Sequence, residues 1–264
     1  MIYHTIPPSE KLKEVVKSFW VLESKESYTH ITMPDVCPEL LFHYNGQFDE
    51  LIDNNKSQKS FTAGVHAQTH QRRKFYVDSA FGMFGVCLYP YAIPLLFGIS
   101  ANELTNETPD LNSLLKEEGL RLEEEIGKAI NSNQRVKIVE EFIVRKMAGT
   151  HQSNLPVFKA VQDIIETNGL ITVKKLAGNY FLSERQFERK FLHYAGFSPK
   201  LFSRIVRFHA AMSQYGTREK SLTSIALECG YYDQSHFIHD FKEFSGLHPK
   251  YFFSGDSDAT KWRE

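Results

Sequence analysis

The sequence is poor in the features that mark secreted and membrane-spanning proteins. It has only three cysteines in 264 residues, and their odd number and wide spacing (Cys37, Cys87, Cys229) predict no disulfide framework. No uncharged apolar run reaches the roughly 18 residues that a membrane span needs. The N-terminus lacks the basic-then-apolar layout of a signal peptide. We therefore expect a cytoplasmic protein with no membrane partner.

The sequence also lacks the motifs of common enzymes. It contains no nucleophile elbow and no phosphate-binding loop. His236 and His239 have a spacing that zinc allows, but a third and a fourth ligand are missing. His66 and His70 lack the H-x-H spacing of a cupin-like metal site, so we expect ordinary loop histidines. We predict no catalytic residue, no metal and no cofactor.

The net charge of −1 is unevenly distributed along the chain. Residues 155–253 contain 13 Lys+Arg against 9 Asp+Glu, whereas residues 1–154 contain 16 against 20. A mildly basic C-terminal part beside an acidic remainder indicates a polyanionic partner for the C-terminal part.

The first hundred residues have the pattern of short β-strands. Runs rich in β-branched and aromatic residues predict strands at 19–23, 30–33, 39–45, 61–65, 74–78 and 81–89. Turn signals at 45–50 and 53–58 follow the strand at 39–45 and precede the strand at 61–65, and Pro90 and Gly98 bracket a short helix. The pattern predicts a small antiparallel β-barrel or sandwich.

From about residue 111 the apolar residues change to helical spacing. Two amphipathic helices are predicted between about 111 and 148; they either cover the β-structure or pair with a second copy of the chain. Residues 148–154 have no periodic apolar residues and form the predicted linker. We expect an α+β fold, with an N-terminal domain at 1–150 and an all-α domain at 155–253.

The C-terminal domain repeats itself at an offset of 50 residues. The matching pairs are Phe187/Phe237, Phe191/Phe241, Gly196/Gly246, Pro199/Pro249 and Phe202/Phe252. Just upstream the offset is 49, so the second copy gains one residue in its turn. Each copy reads as helix, tight turn and second helix, which predicts two helix-turn-helix units.

The exposed faces of the two second helices carry hydrogen-bonding side chains. Such a face can read base edges in the major groove, with Arg suited to guanine and Gln to adenine. Two units joined by one helix can enter successive grooves about 34 Å apart.

These residues resemble the AraC/XylS transcription regulators. The resemblance covers both half-repeats and their spacing, from Leu176 to Phe252, and it implies double-stranded DNA at promoter or operator sites as the partner. It implies that the second helix of each unit reads bases. Matched residue by residue, the readers are Arg185, Glu188, Arg189, Gln234, Ser235, Ile238 and His239.

Departures from the family pattern concern both units. His239 stands where the family often has Arg, Asp240 beside it opposes phosphate binding, and Phe181 stands where the second copy has Gly230. For phosphate contacts, which position a protein without reading sequence, we choose Lys174, Lys175, Arg204 and Arg207. Arg207 is alternatively held in an internal salt bridge.

The N-terminal part resembles, more weakly, the sensory half of some family members. That likeness implies a small-molecule effector or a partner protein, a homodimer, and RNA polymerase as a partner if the protein is an activator. Asp35, Glu39 and His43 are the predicted polar groups of a ligand pocket, since such pockets are apolar with a few polar groups. The alternatives are a metal- or ligand-binding barrel enzyme with a regulatory helical domain, and an N-terminal protein-interaction module without a ligand.

Overall fold

The computed structural model describes residues 1–53, 56–148, 155–214 and 220–254. The chain folds into two compact units. The first comprises Met1–His30, Cys37–Gln68 and Arg73–Ser153, and the second comprises Ile31–Val36, Thr69–Arg72 and Asn154–Glu264. Among the described residues, no helix is both long and apolar enough to cross a bilayer.

Nine strands form two sheets in the described residues. They are β1 (Ile2–Ile6), β2 (Val16–Ser24), β3 (Tyr28–Thr32), β4 (Glu39–Asn45), β5 (Asp49–Asp53), β6 (Lys56–Lys59), β7 (Ala63–His66), β8 (Arg73–Val77) and β9 (Phe81–Leu88). One sheet has the order β1-β2-β9-β4-β7 and the other the order β3-β8-β5-β6. The sheets are not closed into a barrel, so of the two predicted β-architectures the sandwich is the one observed.

Strand alternation gives the five-stranded sheet two apolar faces. On β2, Phe19 and Val21 join a core with the helices that follow the sheet, whereas Trp20 and Leu22 face the opposite way. That second face meets Phe75 and Val77 of β8, so an aromatic-rich core lies between the two sheets. A strand buried on both faces needs apolar residues at both phases of its alternation.

The predicted strands are all present, but β1, β5 and β6 were not predicted. β1 is exposed along nearly its whole length and β6 is wholly exposed, so neither has an apolar alternation. Residues 45–50 and 53–58, predicted as turns, contain parts of β5 and β6 because cross-strand backbone hydrogen bonds form there without apolar side chains.

Five helices complete the described part of the first unit. They are α1 (Ala92–Phe97), α2 (Ala101–Leu104), α3 (Leu111–Leu115), α4 (Glu117–Lys128) and α5 (Ser132–Met147). Gly98 ends α1 at φ +70°, as its position predicts. Lys116, at φ +54°, divides the first predicted amphipathic helix into α3 and α4. The apolar stripe of α4 and α5 is buried in the helix-side core, at Leu122, Ile126, Val139, Phe142 and Ile143.

Apart from its segments Ile31–Val36 and Thr69–Arg72, the described part of the second unit is mainly helical. Its helices are α6 (Leu155–Glu166), α7 (Val173–Asn179), α8 (Glu184–Ala195), α9 (Pro199–Met212), α10 (Leu222–Glu228), α11 (Gln234–Ser245) and α12 (Pro249–Ser254). The phenylalanines of the repeat, Phe187, Phe191, Phe202, Phe237, Phe241 and Phe252, are fully buried. The linker predicted at 148–154 lies outside the described residues, apart from Ala148.

Candidate nucleic-acid interface

The duplication is repeated in the backbone of the two helix-turn-helix units. The first helices, α7 and α10, have seven residues each, and the second helices, α8 and α11, have twelve. In the first turn Leu182 N–H donates to Ala177 O at 3.0 Å, and in the second Tyr231 N–H donates to Ala226 O at 3.0 Å. Since the caps that follow match at an offset of 50, the extra residue of the second turn is Tyr232.

The second helices begin and end on matched caps. Ser183 accepts a hydrogen bond from the Gln186 N–H, and Asp233 accepts one from the His236 N–H. Gly196 and Gly246 terminate the helices at φ +77° and +70°, a conformation that favours glycine. These caps fix where each helix starts and therefore which side chains its first turns expose.

The α8 face predicted to read bases is open to solvent. Arg185, Glu188 and Arg189 are exposed, while Phe187 and Phe191 anchor the opposite face. Arg185 and Arg189 are four residues apart and so share one side of the helix. Two guanidinium groups on one face provide bidentate donors for guanine O6 and N7.

The α11 face is more engaged with its own unit. Thr223 Oγ1 donates to Gln234 Oε1 at 2.8 Å, which ties the predicted adenine reader to α10. Ser235 and His239 are exposed, and Ile238 is half-buried. His239 Nδ1 lies 3.7 Å from Asp240 Oδ1 and 3.8 Å from Glu243 Oε2.

Arg204, a predicted phosphate contact, is engaged in an internal ion pair. Its Nε and Nη2 donate to the two carboxylate oxygens of Asp240 at 3.2 and 2.8 Å, and Nη2 also donates to Glu243 Oε2 at 2.5 Å. Asp240 is only 1% exposed, so a partner is required for its charge. The same pairing neutralises the carboxylate that was expected to repel phosphates.

The other three predicted phosphate contacts differ in exposure. Lys174 and Lys175 are exposed on α7. Arg207 is half-buried, and its guanidinium carbon lies 5.5 Å from the centroid of the Tyr231 ring. Within the part of the chain that the structure describes, Arg207 has no carboxylate within salt-bridge distance, so its internal contact is with an aromatic face.

The two units carry opposite charge. Helices α7 and α8 contain five cationic and two acidic side chains, a net of +3. Helices α10 and α11 contain one cationic and three acidic side chains, a net of −2 with neutral histidines. The first unit therefore attracts a polyanion and the second does not.

One cluster in the described residues has the donor types of a metal site. It consists of His239, Asp240 and Glu243, whose ligand atoms lie within 4.8 Å of one another. Arg204 already occupies both carboxylates. The cluster is accordingly arranged as an ion pair and does not fit a cation.

The three predicted pocket residues belong to different parts of the fold. Glu39 and His43 lie on the same face of β4, four residues and about 13 Å apart at 3.3 Å per residue. Glu39 Oε1 accepts a hydrogen bond from Trp20 Nε1 at 2.9 Å. Asp35 lies in segment Ile31–Val36, which belongs to the second unit.

His43 belongs instead to a set of imidazoles in the interior of the sandwich. Its ring lies 5.6 Å from that of Phe48, and the ring of His66 lies 5.0 Å from that of Phe75. Burial lowers the pKa of His43 and His30 to about 4. Burial, with a smaller contribution from Arg73, lowers the pKa of His66 to about 3.

The sequence did not identify this set. His66 was predicted to lie in a loop, but it is the last residue of β7, because β7 pairs with β4 along Glu39–Phe42. The Nδ1 atoms of His30 and His43 are buried and have no hydrogen-bond partner among the described residues. Alternation along β4 was the one available signal, since it places His43 on the same face as Leu41.

A surface cleft of about 570 Å³ lies elsewhere in the first unit. Its lining includes Glu23, Tyr44 and Phe81. Tyr44 donates its hydroxyl hydrogen to Glu23 Oε1 at 2.5 Å, and Arg135 stacks on the Tyr44 ring at 3.7 Å.

Comparisons with known sequences match two separate parts of the chain to two different family models. Residues 176–254 match a helix-turn-helix domain, and residues 4–110 match a domain of unknown function (DUF6597). The search of curated proteins found no match.

Solved structures similar to this chain include three regulators. ToxT from Vibrio cholerae is 13% identical to this chain, and the two superpose with a TM-score of 0.47. The match covers 96% of this chain and 98% of the ToxT chain. The DNA-binding domain of the global transcriptional factor AdpA, solved with a target DNA, is 23% identical and has a TM-score of 0.37. The match covers 41% of this chain and 96% of the AdpA domain. A regulator from Chromobacterium violaceum with an AraC-type DNA-binding domain is 22% identical and has a TM-score of 0.36. The match covers 40% of this chain and 96% of that regulator's chain.

Proposed function

We propose that this chain, which belongs to the AraC/XylS family of DNA-binding transcription regulators, reads a specific DNA site chiefly through α8. Helix α11 adds a weaker contact in the next major groove. The observation that carries the proposal is the contrast between the two units, with a net charge of +3 on α7 and α8 and −2 on α10 and α11. Members of this family are regulators and not enzymes.

The roles of the α8 residues follow from their chemistry. Arg185 and Arg189 each suit a guanine, and Glu188 accepts from the amino group of cytosine. Lys174 and Lys175 on the preceding helix supply phosphate contacts, which fix the register of α8 in the groove. A bidentate guanine contact contributes about 1–3 kcal/mol of discrimination against the wrong base.

The weaker role of α11 follows from its internal contacts. Gln234 must break or share its bond with Thr223 to read adenine, and His239 lies above two carboxylates. Ser235 and Ile238 remain suited to a polar base edge and a thymine methyl. Arg207 completes this half as a proposed phosphate contact beside Tyr231.

Residues 155–253 are the proposed DNA-binding domain, and residues 1–150 are the proposed sensory and dimerisation domain. The effector site we favour lies between the two sheets, where His30 and His43 offer unpartnered nitrogen atoms among aromatic rings. A small molecule with both apolar surface and hydrogen-bonding groups fits such surroundings. Glu39 borders this interior, and Asp35 is not included.

Dimerisation and polymerase contact complete the proposal. The main stripe of α4 and α5 is buried, so a homodimer would use the apolar side chains left exposed, namely Leu120, Ile130 and Val144. RNA polymerase is a further partner if the protein activates transcription. A chromosomal target implies work in the cytoplasm.

Selection of bound sequences from a random DNA pool tests the proposal. The full chain should enrich one site with two half-motifs spaced by about one helical turn, roughly 34 Å. The half-motif contacted by α8 should be the more sharply defined. If no sequence is enriched and the chain binds DNA only weakly and in a salt-sensitive way, sequence-specific reading is refuted.

A further inference from the structure

The turn of the first helix-turn-helix unit carries a fully exposed phenylalanine in an unfavourable backbone conformation. Phe181 is 96% exposed, and its φ is +55°. A bulky residue at positive φ is an outlier, because its Cβ crowds the backbone there. The ring buries almost no surface against the protein, so it returns no packing energy for this conformation.

The second helix-turn-helix unit shows which backbone conformation the turn requires. Gly230 takes the same place at φ +75°. Phe181 N–H donates to Gly178 O at 3.2 Å, and Gly230 N–H donates to Leu227 O at 3.0 Å. The turn geometry is therefore met by glycine, and the phenylalanine is not needed to form it.

The position of Phe181 connects it to the reader helix. It is two residues before Ser183, the N-cap of α8, and it follows α7 with Lys174 and Lys175. In helix-turn-helix docking, the N-terminal residues of the second helix enter the major groove and the first helix contacts the backbone. The turn between them then lies at the edge of the groove.

We propose that Phe181 is an apolar DNA contact, packing on a thymine methyl and its deoxyribose at the edge of the α8 half-site. The proposal rests on the proposed function. Phenylalanine has no hydrogen-bond donor or acceptor on its side chain, and the C5 methyl of thymine is the apolar group that a major-groove edge presents. The net charge of +3 on α7 and α8 favours DNA over an apolar protein partner at this ring.

Backbone strain that persists without a packing benefit marks functional positions. Phe181→Gly should accordingly keep or raise the melting temperature of the full chain while lowering its affinity for the selected site by about fivefold, the effect of losing a buried methyl contact or more. Phe181→Tyr, which retains the ring, should bind like the parent. Asn168→Gly relaxes another positive-φ residue, which lies between α6 and α7 at φ +51°, and should leave DNA affinity unchanged.

A change in the DNA identifies the contacted base. Replacing each thymine at the edge of the α8 half-site by deoxyuridine removes only the methyl group. One position should weaken binding of the parent by about fourfold and leave Phe181→Gly unaffected.

Arg189→Ala separates the two proposals. If Arg189→Ala weakens specific binding and Phe181→Gly does not, the Phe181 contact is overturned and the ring is left for a protein partner, while α8 reading stands. If neither variant changes specific binding, α8 reading itself fails.

Discussion

At the scale of single residues, the second helix-turn-helix unit contains a buried charge that is stabilised by an arginine. Asp240 is 1% exposed, and Arg204 binds both of its oxygens. Arg204→Ala should lower the free energy of unfolding by about 3 kcal/mol, because it leaves a buried carboxylate unpaired. Chemical denaturation of the purified variant measures this, with Arg204→Lys as a control that keeps the charge.

The same variant distinguishes an internal ion pair from a phosphate contact. With an internal pair, the salt dependence of DNA binding by the folded variant should match that of the parent. A salt slope reduced by about one would instead restore Arg204 to the DNA backbone.

Three histidines of the sandwich, of which His43 is buried and His30 and His66 are half-buried, make stability depend on pH. Burial depresses their folded-state pKa to about 4 for His30 and His43 and to about 3 for His66, against about 6.5 when unfolded. The unfolded chain binds more protons, so stability is complete above pH 6.5 and is lost as pH falls toward 4. Each histidine contributes up to roughly 1.4 kcal/mol per pH unit in that window.

Thermal unfolding between pH 7.5 and 5 checks this dependence. The melting temperature should fall over the range, and His43→Phe, which places an apolar ring of similar size beside Phe48, should show a smaller fall. Equal melting temperatures at pH 7 and pH 5 in the parent would contradict neutral burial of the imidazoles.

At the scale of elements, one helix-turn-helix frame carries two different surfaces. Caps, lengths and buried phenylalanines match between α8 and α11, but charge and exposed side chains do not.

Lys175→Ala should weaken binding to all DNA sequences alike and reduce the salt slope by about one, since a phosphate contact carries no base information. Titration of specific and unrelated DNA at several salt concentrations measures this; a loss confined to the specific site would assign Lys175 to base reading.

The helices and turns of the two helix-turn-helix units were predictable, but the partners of their charged side chains were not. Phe187 and Phe237, with Gly196 and Gly246, reveal the repeat because each must meet the same packing and backbone demand. The pairing of Arg204 with Asp240 joins residues 36 apart, and no local pattern encodes it. Strands β1 and β6 escaped prediction because backbone pairing, not apolar alternation, holds them.

At the scale of the whole molecule, the chain combines a β-sandwich covered by helices with a helical DNA-binding unit. The sequence predicted both classes of structure, because the change from strand to helix periodicity is strong near residue 111. It did not predict the sandwich interior, since His30, His43 and His66 come from three separate strands. The pocket of Asp35, Glu39 and His43 stays a prediction. His43 lies in the sandwich interior, Glu39 accepts a hydrogen bond from Trp20, and Asp35 belongs to the second compact unit.

The affinity of the full chain for its selected site, measured beside a shuffled site, tests the central claim most directly. Arg189→Ala should cost about 1–3 kcal/mol on the selected site and relax its preference at one base pair, while His239→Ala should cost less. Equal affinity of the parent for selected and shuffled DNA, or a larger loss for His239→Ala than for Arg189→Ala, would contradict the account of α8 as the principal reader.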